Sequence, residues 1–270
     1  MLKEAAKTGQ IRLIIDATKV TASHQLLMVA LAYRRRAIPI AWTWTRKARG
    51  HSSGWKQLAL LAYVQTLIPA GATVILIGDS DFTPLQCAAE AWGWYYVLRQ
   101  KGNHLFRTQE GEWRRLDSLV SEPGQLRWLT SVQLTQQHGH RCNILAWWKP
   151  GEKQPWLLAT NLPSPQRTRR LYSRRMWDDE MFGDMKSNGF DLERSRLKHV
   201  MRLSRLTLVV ALLYVWIIAF GSATIKNGRR KEVDRSHRRD LSIFRIGLDM
   251  LERCFINHRK PSIRDIPYFT

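Results

Sequence analysis

Apolar residues gather in short blocks over the first hundred positions, and most of the blocks end on charged or turn-forming residues. IRLIID (11–16) is a β-rich run closing on an acid, while QLLMVALAY (25–33) and AIPIAWTWT (37–45) flank a basic turn of three arginines. That spacing predicts adjacent antiparallel strands. HSSGWKQLALLAYVQTLIPAG (51–71) switches to helical spacing, with Ser52 or Ser53 placed as N-cap and Pro69 with Gly71 as the stop. ATVILIGDSDF (72–82) reads as a buried strand that again ends on acids. TPLQCAAEAWGW (83–94) opens a helix with Pro84 near its first position, and YYVLRQKG (95–102) is the next strand.

From 103 to 168 the helical period disappears and short strand-like pieces with turns replace it, among them GQLRWLTSVQL, CNILAWWK and PWLLATNL. Beyond LPSPQRTRR the chain reads as helical almost to its end, where PSIRDIP (261–267) marks a final turn. The sequence therefore predicts an α/β fold: β-β-β-α-β-α-β, an all-β block, then helices. The run LTLVVALLYVWIIAFGSA (206–223) carries no charge, and basic residues flank it on both sides. Its length reaches the lower limit of a membrane span and suits equally a helix buried in a core.

Composition narrows the partners. Lys and Arg number 43 against 22 Asp and Glu, a formal net charge of +21, and the 44% hydrophobic content with twelve Trp excludes a disordered basic tail. A folded surface this basic points to a polyanion, nucleic acid or an anionic membrane. Cys87, Cys142 and Cys254 lie far apart without a CxxC pair, which supports neither a disulfide framework nor a zinc knuckle. The first residues, MLKEAAKTGQIRLIID, lack the apolar core of a signal peptide, so a reducing compartment is expected.

Asp16 and Asp79 each end a hydrophobic strand, the position where ligands of open α/β sheets bind. An Asp at a strand end also simply opens a turn. If both reach one point, their oxygens make a hard site suited to Mg²⁺ or Mn²⁺; Asp81 is expected in a turn. LYSRRMWDDEMFGDMKSNGF (171–190) says more. At about 100° per residue, Tyr172, Arg175, Asp179 and Lys186 fall within an arc of roughly 60°. Met176, Trp177, Met181 and Met185 cover the adjoining arc, and Glu180 points about 100° away from Asp179. A docked helix would present a Tyr, two cations and an acid along one rim, although a charged face is also what solvent alone selects.

The spacing of Tyr172, Arg175, Asp179 and Lys186 resembles the YREK signature of DDE transposases of the insertion-sequence-four family. GDSDF, with Asp79 and Phe82, resembles that family's second-acid motif, IIDATKV its first-acid strand with Asp16, and VLRQKGN its following strand with Arg99. The resemblance runs over nearly the whole chain in the right order. It implies an RNase H-like core, a mixed five-stranded sheet with helices on both faces, interrupted by a β-rich insertion. Residues 1–102 would form the first part of the core, 103–168 the insertion and 169–270 the closing helices. Asp16, Asp79 and Asp179 would be catalytic and would bind two divalent ions, Mg²⁺ or Mn²⁺. Arg175, Lys186 and Arg99 would hold DNA phosphates, Tyr172 a flipped-out strand, and Trp148, or Trp147 or Trp156, an extruded base. The implied activity is cut-and-paste DNA transposition on double-stranded transposon ends and target, by a homodimer, in the nucleoid-associated cytoplasm of a bacterium. In that frame 206–223 is a core helix under the sheet, and no membrane partner is expected.

Two departures stand out. Asp178 and Asp179 occupy the places of an apolar residue and a Glu, and the shorter side chain predicts that Asp179→Glu raises activity; Glu180 is the alternative third acid. Family members also carry an N-terminal helical region ahead of the first acid, so a truncated catalytic core is expected. These departures keep open a degenerate transposase fragment that binds DNA without catalysis. A basic membrane-associated protein is the third reading.

Overall fold

The first apolar runs become strands. A short helix α1 (Leu2–Lys7) leads into β1 (Ile11–Lys19), β2 (Gln25–Tyr33) and β3 (Arg36–Thr45), which pair antiparallel in sequence order. The structure is a computed structural model, and it describes residues 1–46, 53–109, 111–135, 140–235, 237, 239–262 and 265–269. Arg34 and Arg35 both take left-handed backbone, φ 43° and 64°, the two-residue geometry whose twist suits a hairpin. Arg36 is therefore not a turn residue, as the basic run predicted, but the buried first residue of β3. Pro39 is tolerated inside β3 because that strand is the sheet edge, and the pairing shifts there, with Ala30 opposite Pro39 and Val29 opposite Ala41.

Helix α2 (Gly54–Leu67) starts where Ser53 caps it, the Ser53 hydroxyl accepting from Lys56 N at 3.4 Å; Ser52, the other candidate cap, lies outside the described residues. β4 (Val74–Gly78) and β5 (Tyr95–Arg99) join β1 in parallel, giving the order β3-β2-β1-β4-β5 with β2 alone reversed. This is an RNase H-like core. Successive residues of β1, β2 and β4 are buried, as they must be when helices cover both faces. Between β4 and β5 the chain makes a 3₁₀ turn (Ser80–Leu85) before α3 (Gln86–Ala91), so Pro84 sits in that turn rather than at the helix start.

The β-rich stretch adds to the same sheet. β6 (Leu105–Arg107), β7 (Arg114–Arg115), β8 (Leu126–Leu134), β9 (His140–Trp147) and β10 (Trp156–Thr160) continue it from β5 in the order β10-β9-β8-β6-β7, all antiparallel. Helices follow. α4 (Pro165–Tyr172) begins at a Ser164 cap and runs through a 3₁₀ turn (Ser173–Arg175) into α5 (Met176–Met185). α6 (Val200–Lys226) and α7 (Ile243–Ile256) complete the order. Of the closing PSIRDIP turn, Ile263 and Arg264 lie outside the described residues.

α6 packs one side on β3 and α7, with Trp44 Nε1 donating to Thr207 Oγ1 at 3.2 Å. Gly221 and Gly247 let α6 and α7 touch backbone to backbone: a Cβ on either would land on a carbonyl oxygen of the facing helix, that of Ile243 or of Ile217. The opposite side leaves Leu208, Val209, Leu212 and Trp216 exposed. By length and composition α6 could cross a membrane; in the fold it is a two-sided helix rather than one buried all round.

Candidate active site

Strand register brings the first two acids together. Ile15 of β1 lies opposite Gly78 of β4, so Asp16 and Asp79 follow a matched pair on adjacent parallel strands. Each carboxylate divides its oxygens. Asp16 Oδ1 accepts from Ala17 N at 2.8 Å and Asp79 Oδ1 from Ser80 N at 2.7 Å, the turn-opening role, which leaves each Oδ2 to face the site. Gly78 makes room for the turn: a Cβ there would crowd Leu98, Ile15 and Phe82 at 3.0 to 3.2 Å. Phe82 of the GDSDF run is buried beneath it.

The third acid arrives from α5, and one cation gathers all three. Arg175 Nη2 lies 2.9 Å from Asp16 Oδ2 and 3.4 Å from Asp79 Oδ2, while its Nη1 lies 3.1 Å from Asp179 Oδ2. Arg175 and Asp179 meet because positions four apart share a helix face. Arg99 ends β5 with Nη1 3.9 Å from Asp79 Oδ1 and Nη2 donating to the Pro155 carbonyl at 3.5 Å. Burial pushes the Asp16 carboxyl up to about 6; Arg175 pulls it down, and Asp179 with Asp79 pushes it up again. Burial disfavours the charge on Arg175, but Asp16, Asp179 and Asp79 outweigh it and raise its basicity.

Glu180, the alternative third acid, faces elsewhere, as its helical angle predicted. It pairs with Arg36 at 3.2 Å, and Arg36 Nε also holds Asp184 at 2.7 Å, with Tyr214 Oη donating to Asp184 at 3.4 Å. This clamp ties α5 to the start of β3 and fixes which face of the helix meets the acids.

Other sequence-predicted residues are placed differently. Lys186 is not on the helical arc: α5 ends at Met185, and Lys186 leaves the helix at φ −101°, ψ −129°. Its ammonium donates to Thr18 Oγ1 and the Lys19 carbonyl, both at 2.7 Å, and pairs with Glu193 at 3.2 Å. Tyr172 is buried, edge-on to Trp156 at 4.9 Å, and its hydroxyl feels the charges of Asp79, Arg99 and Arg175. Burial first, then Asp79, raise that hydroxyl above the ordinary tyrosine range. Trp156 in turn meets Trp147 at 5.3 Å, so these two rings form the aromatic wall next to Tyr172. Trp148 instead turns into the β9–β10 connection, donating from Nε1 to the Glu152 carbonyl at 2.9 Å. Met176, counted with the apolar arc, is exposed.

Asp178 escaped the sequence reading as a site neighbour. It is fully buried, and neither carboxylate oxygen has a hydrogen-bond partner. Burial, with the nearby Asp16 and Asp179, raises it well above the ordinary carboxylate range. Its helical angle lies beside those of Met181 and Met185, the signal that it points inward.

As a cation site the cluster fits in chemistry. Three carboxylates, hard oxygen donors, converge on one positive group, the Arg175 guanidinium, which stands in for a cation. Among the described residues, no three His, Cys, Asp or Glu are close enough to enclose a metal ion as they stand; the acids are spaced around a guanidinium. Asp16, Asp79 and Asp179 can therefore hold a divalent cation only where Arg175 yields its place.

No protein-family model matches the chain, and no curated protein matches its sequence. Among solved structures the chain is similar to a piggyBac transposase synaptic complex with hairpin DNA, determined by cryo-EM, at 10% identity and a TM-score of 0.45. The match covers 96% of this chain and 58% of that one, so the chain spans less than two thirds of that transposase's length.

Proposed function

We propose that the chain is a DNA strand transferase of the DDE transposase type, allied to the insertion-sequence-four family, that cleaves transposon ends and joins them to target DNA. The observation that carries this reading is the convergence of Asp16, Asp79 and Asp179 on Arg175 from the ends of two adjacent strands and one helix. In this reading 1–102 and 169–270 form the catalytic core around a 103–168 insertion. The protein works as a homodimer on duplex DNA in a bacterial cytoplasm.

Asp16, Asp79 and Asp179 would hold Mg²⁺ or Mn²⁺, which supplies charge neutralisation at the scissile phosphate and an activated water or 3′-hydroxyl. The remaining work falls to the chain itself. Arg175, released from the acids, presents its planar fork to phosphate oxygens. Arg99, whose Nη2 donates to the Pro155 carbonyl, adds a second cation beside Asp79. The Arg36 clamp on Glu180 and Asp184 keeps Asp179 aimed at the strand ends. Lys186, packed against the end of β1 and paired with Glu193, would contact the DNA backbone flanking the site where that pair opens. Trp147 and Trp156, the aromatic wall beside Tyr172, would supply the stacking surface for an extruded base, and Trp148, turned into the β9–β10 connection, would serve only by leaving its bond to Glu152.

Incubating the protein with duplex DNA bearing its transposon ends tests the reading: strand nicks that need Mg²⁺ or Mn²⁺ and vanish in Asp16→Ala and Asp79→Ala support it. Cleavage retained in either variant overturns it. The closed Arg175 cluster and the Asp in place of the family's Glu favour a second reading, a degenerate fragment that binds DNA without cutting it. A salt-sensitive gel shift with no nicking in either metal would select that one. The exposed apolar side of α6 favours the third, a basic membrane-associated protein, which recovery in the soluble fraction without detergent would remove.

A further inference from the structure

Four arginines on β1, α4 and the turn that ends at Arg175 have no carboxylate partner among the described residues. Arg167, Arg170 and Arg174 are spaced by three and four residues along α4 and the turn after it, so they share one face. Arg12 lies on β1 four residues before Asp16 and on the same side of the strand, about 13 Å away along it. Among the described residues, none of the four makes an ion pair, although arginines elsewhere, such as Arg36, Arg115 and Arg229, are paired. Arg12 Nε is buried without a hydrogen-bond partner, and Arg12 Nη2 reaches only Gln10 Oε1 at 3.3 Å.

Aromatic rings hold two of these guanidiniums without neutralising them. Arg167 lies over the Tyr95 ring at 5.8 Å and Arg174 over the Trp177 ring at 5.4 Å. The four also feel one another. Burial, then Arg170 and Arg167, lower the basicity of Arg12; burial, then Arg12 and Arg170, lower that of Arg174. Gathering unpaired like charges, two of them partly desolvated, opposes folding, and an anion with several charges in a row would relieve it. The guanidinium fork matches phosphate oxygens two at a time, and Arg174 adjoins Arg175, the residue that holds the acids.

We propose that Arg12, Arg167, Arg170 and Arg174 form a ladder that binds the phosphodiester backbone of duplex DNA beside the acid cluster. The ladder rests on the DNA reading above and adds the track along which the duplex lies.

Salt dependence of duplex binding tests it directly. Fluorescence anisotropy with a labelled duplex, followed from 50 to 200 mM salt, gives a slope of log K against log salt that counts phosphate contacts at roughly 0.9 per contact. Arg170→Gln/Arg174→Gln should lower that slope by about 2, and Arg170→Lys/Arg174→Lys should keep it. Arg194→Gln/Arg229→Gln removes the same charge from exposed, acid-paired positions and should leave the slope within half a unit of the unmodified protein, as ~0 contacts are lost. A wild-type slope in the ladder variant, or one matching that control, overturns the ladder while leaving DNA binding in place. Ladder variants that lose binding to anionic phospholipid vesicles but not to duplex overturn it in favour of a membrane. No duplex binding by the unmodified protein removes both the ladder and the function it rests on.

Discussion

Arg175 Nη2 meets Asp16 Oδ2 at 2.9 Å, a contact between the turn ahead of α5 and the middle of β1 that places a cation among three acids. The same guanidinium also pairs with Asp79 and Asp179, which offsets part of the repulsion among the three carboxylates. Without metal, the arginine is what makes the cluster tolerable.

Arg175→Gln should therefore lower the melting temperature in EDTA, and Mg²⁺ or Mn²⁺ should restore much of the loss. The unmodified protein should gain less from the same ions, because they must first displace its own cation. Thermal melts with and without metal check this. An equal metal response in both proteins would separate Arg175 from the cation site.

Asp178 is a carboxyl buried without a partner, which costs about 1–3 kcal/mol relative to an apolar group of similar size. Asp178→Leu should raise the melting temperature by roughly 2–5 °C. A lower melting temperature in both Asp178→Leu and Asp178→Asn would mean that the carboxyl is bonded after all.

Gly247→Ala sets two effects against each other. Alanine favours an exposed helix by about 1 kcal/mol over glycine, but here its Cβ would strike the Ile217 carbonyl and force α6 and α7 apart. The net expectation is a loss of about 1–3 kcal/mol, read by urea denaturation. Added stability would show that the two helices cross less closely.

Asp184 should give the stability a pH dependence. Burial pushes its carboxyl up to about 6 from 3.8, against the pull of Arg36. Between those values the folded chain holds the proton more tightly than the unfolded chain. Its contribution is therefore complete at low pH and fades as pH rises through about 6. The stability of the unmodified protein relative to Asp184→Asn should fall by roughly 2 kcal/mol from pH 4 to pH 7. A difference that grows with pH would mean that the Arg36 pair keeps Asp184 ionised throughout.

Much of this architecture was legible in the sequence because its signals are local. Apolar runs ending in Asp gave β1 and β4, and parallel register alone then sets Asp16 beside Asp79. The spacing of Arg175 and Asp179 gave their contact, and the angle of Glu180 gave its divergence. Lys186 was misplaced because a helical angle has meaning only while the helix lasts, and α5 stops one residue earlier. Arg36 read as part of a basic turn because its partners, Glu180 and Asp184, lie far along the chain. The role of Arg175 as counter-cation to all three acids depends on three elements meeting, and no spacing reports that.

The most direct test of the central claim is strand cleavage of duplex DNA carrying the transposon ends, in Mn²⁺, by Asp16→Ala, Asp79→Ala, Asp179→Ala and Glu180→Ala side by side. The arrangement predicts that the first three fall to background while Glu180→Ala still cuts. Cleavage by Asp16→Ala or Asp79→Ala, or loss in Glu180→Ala with Asp179→Ala still active, would contradict it.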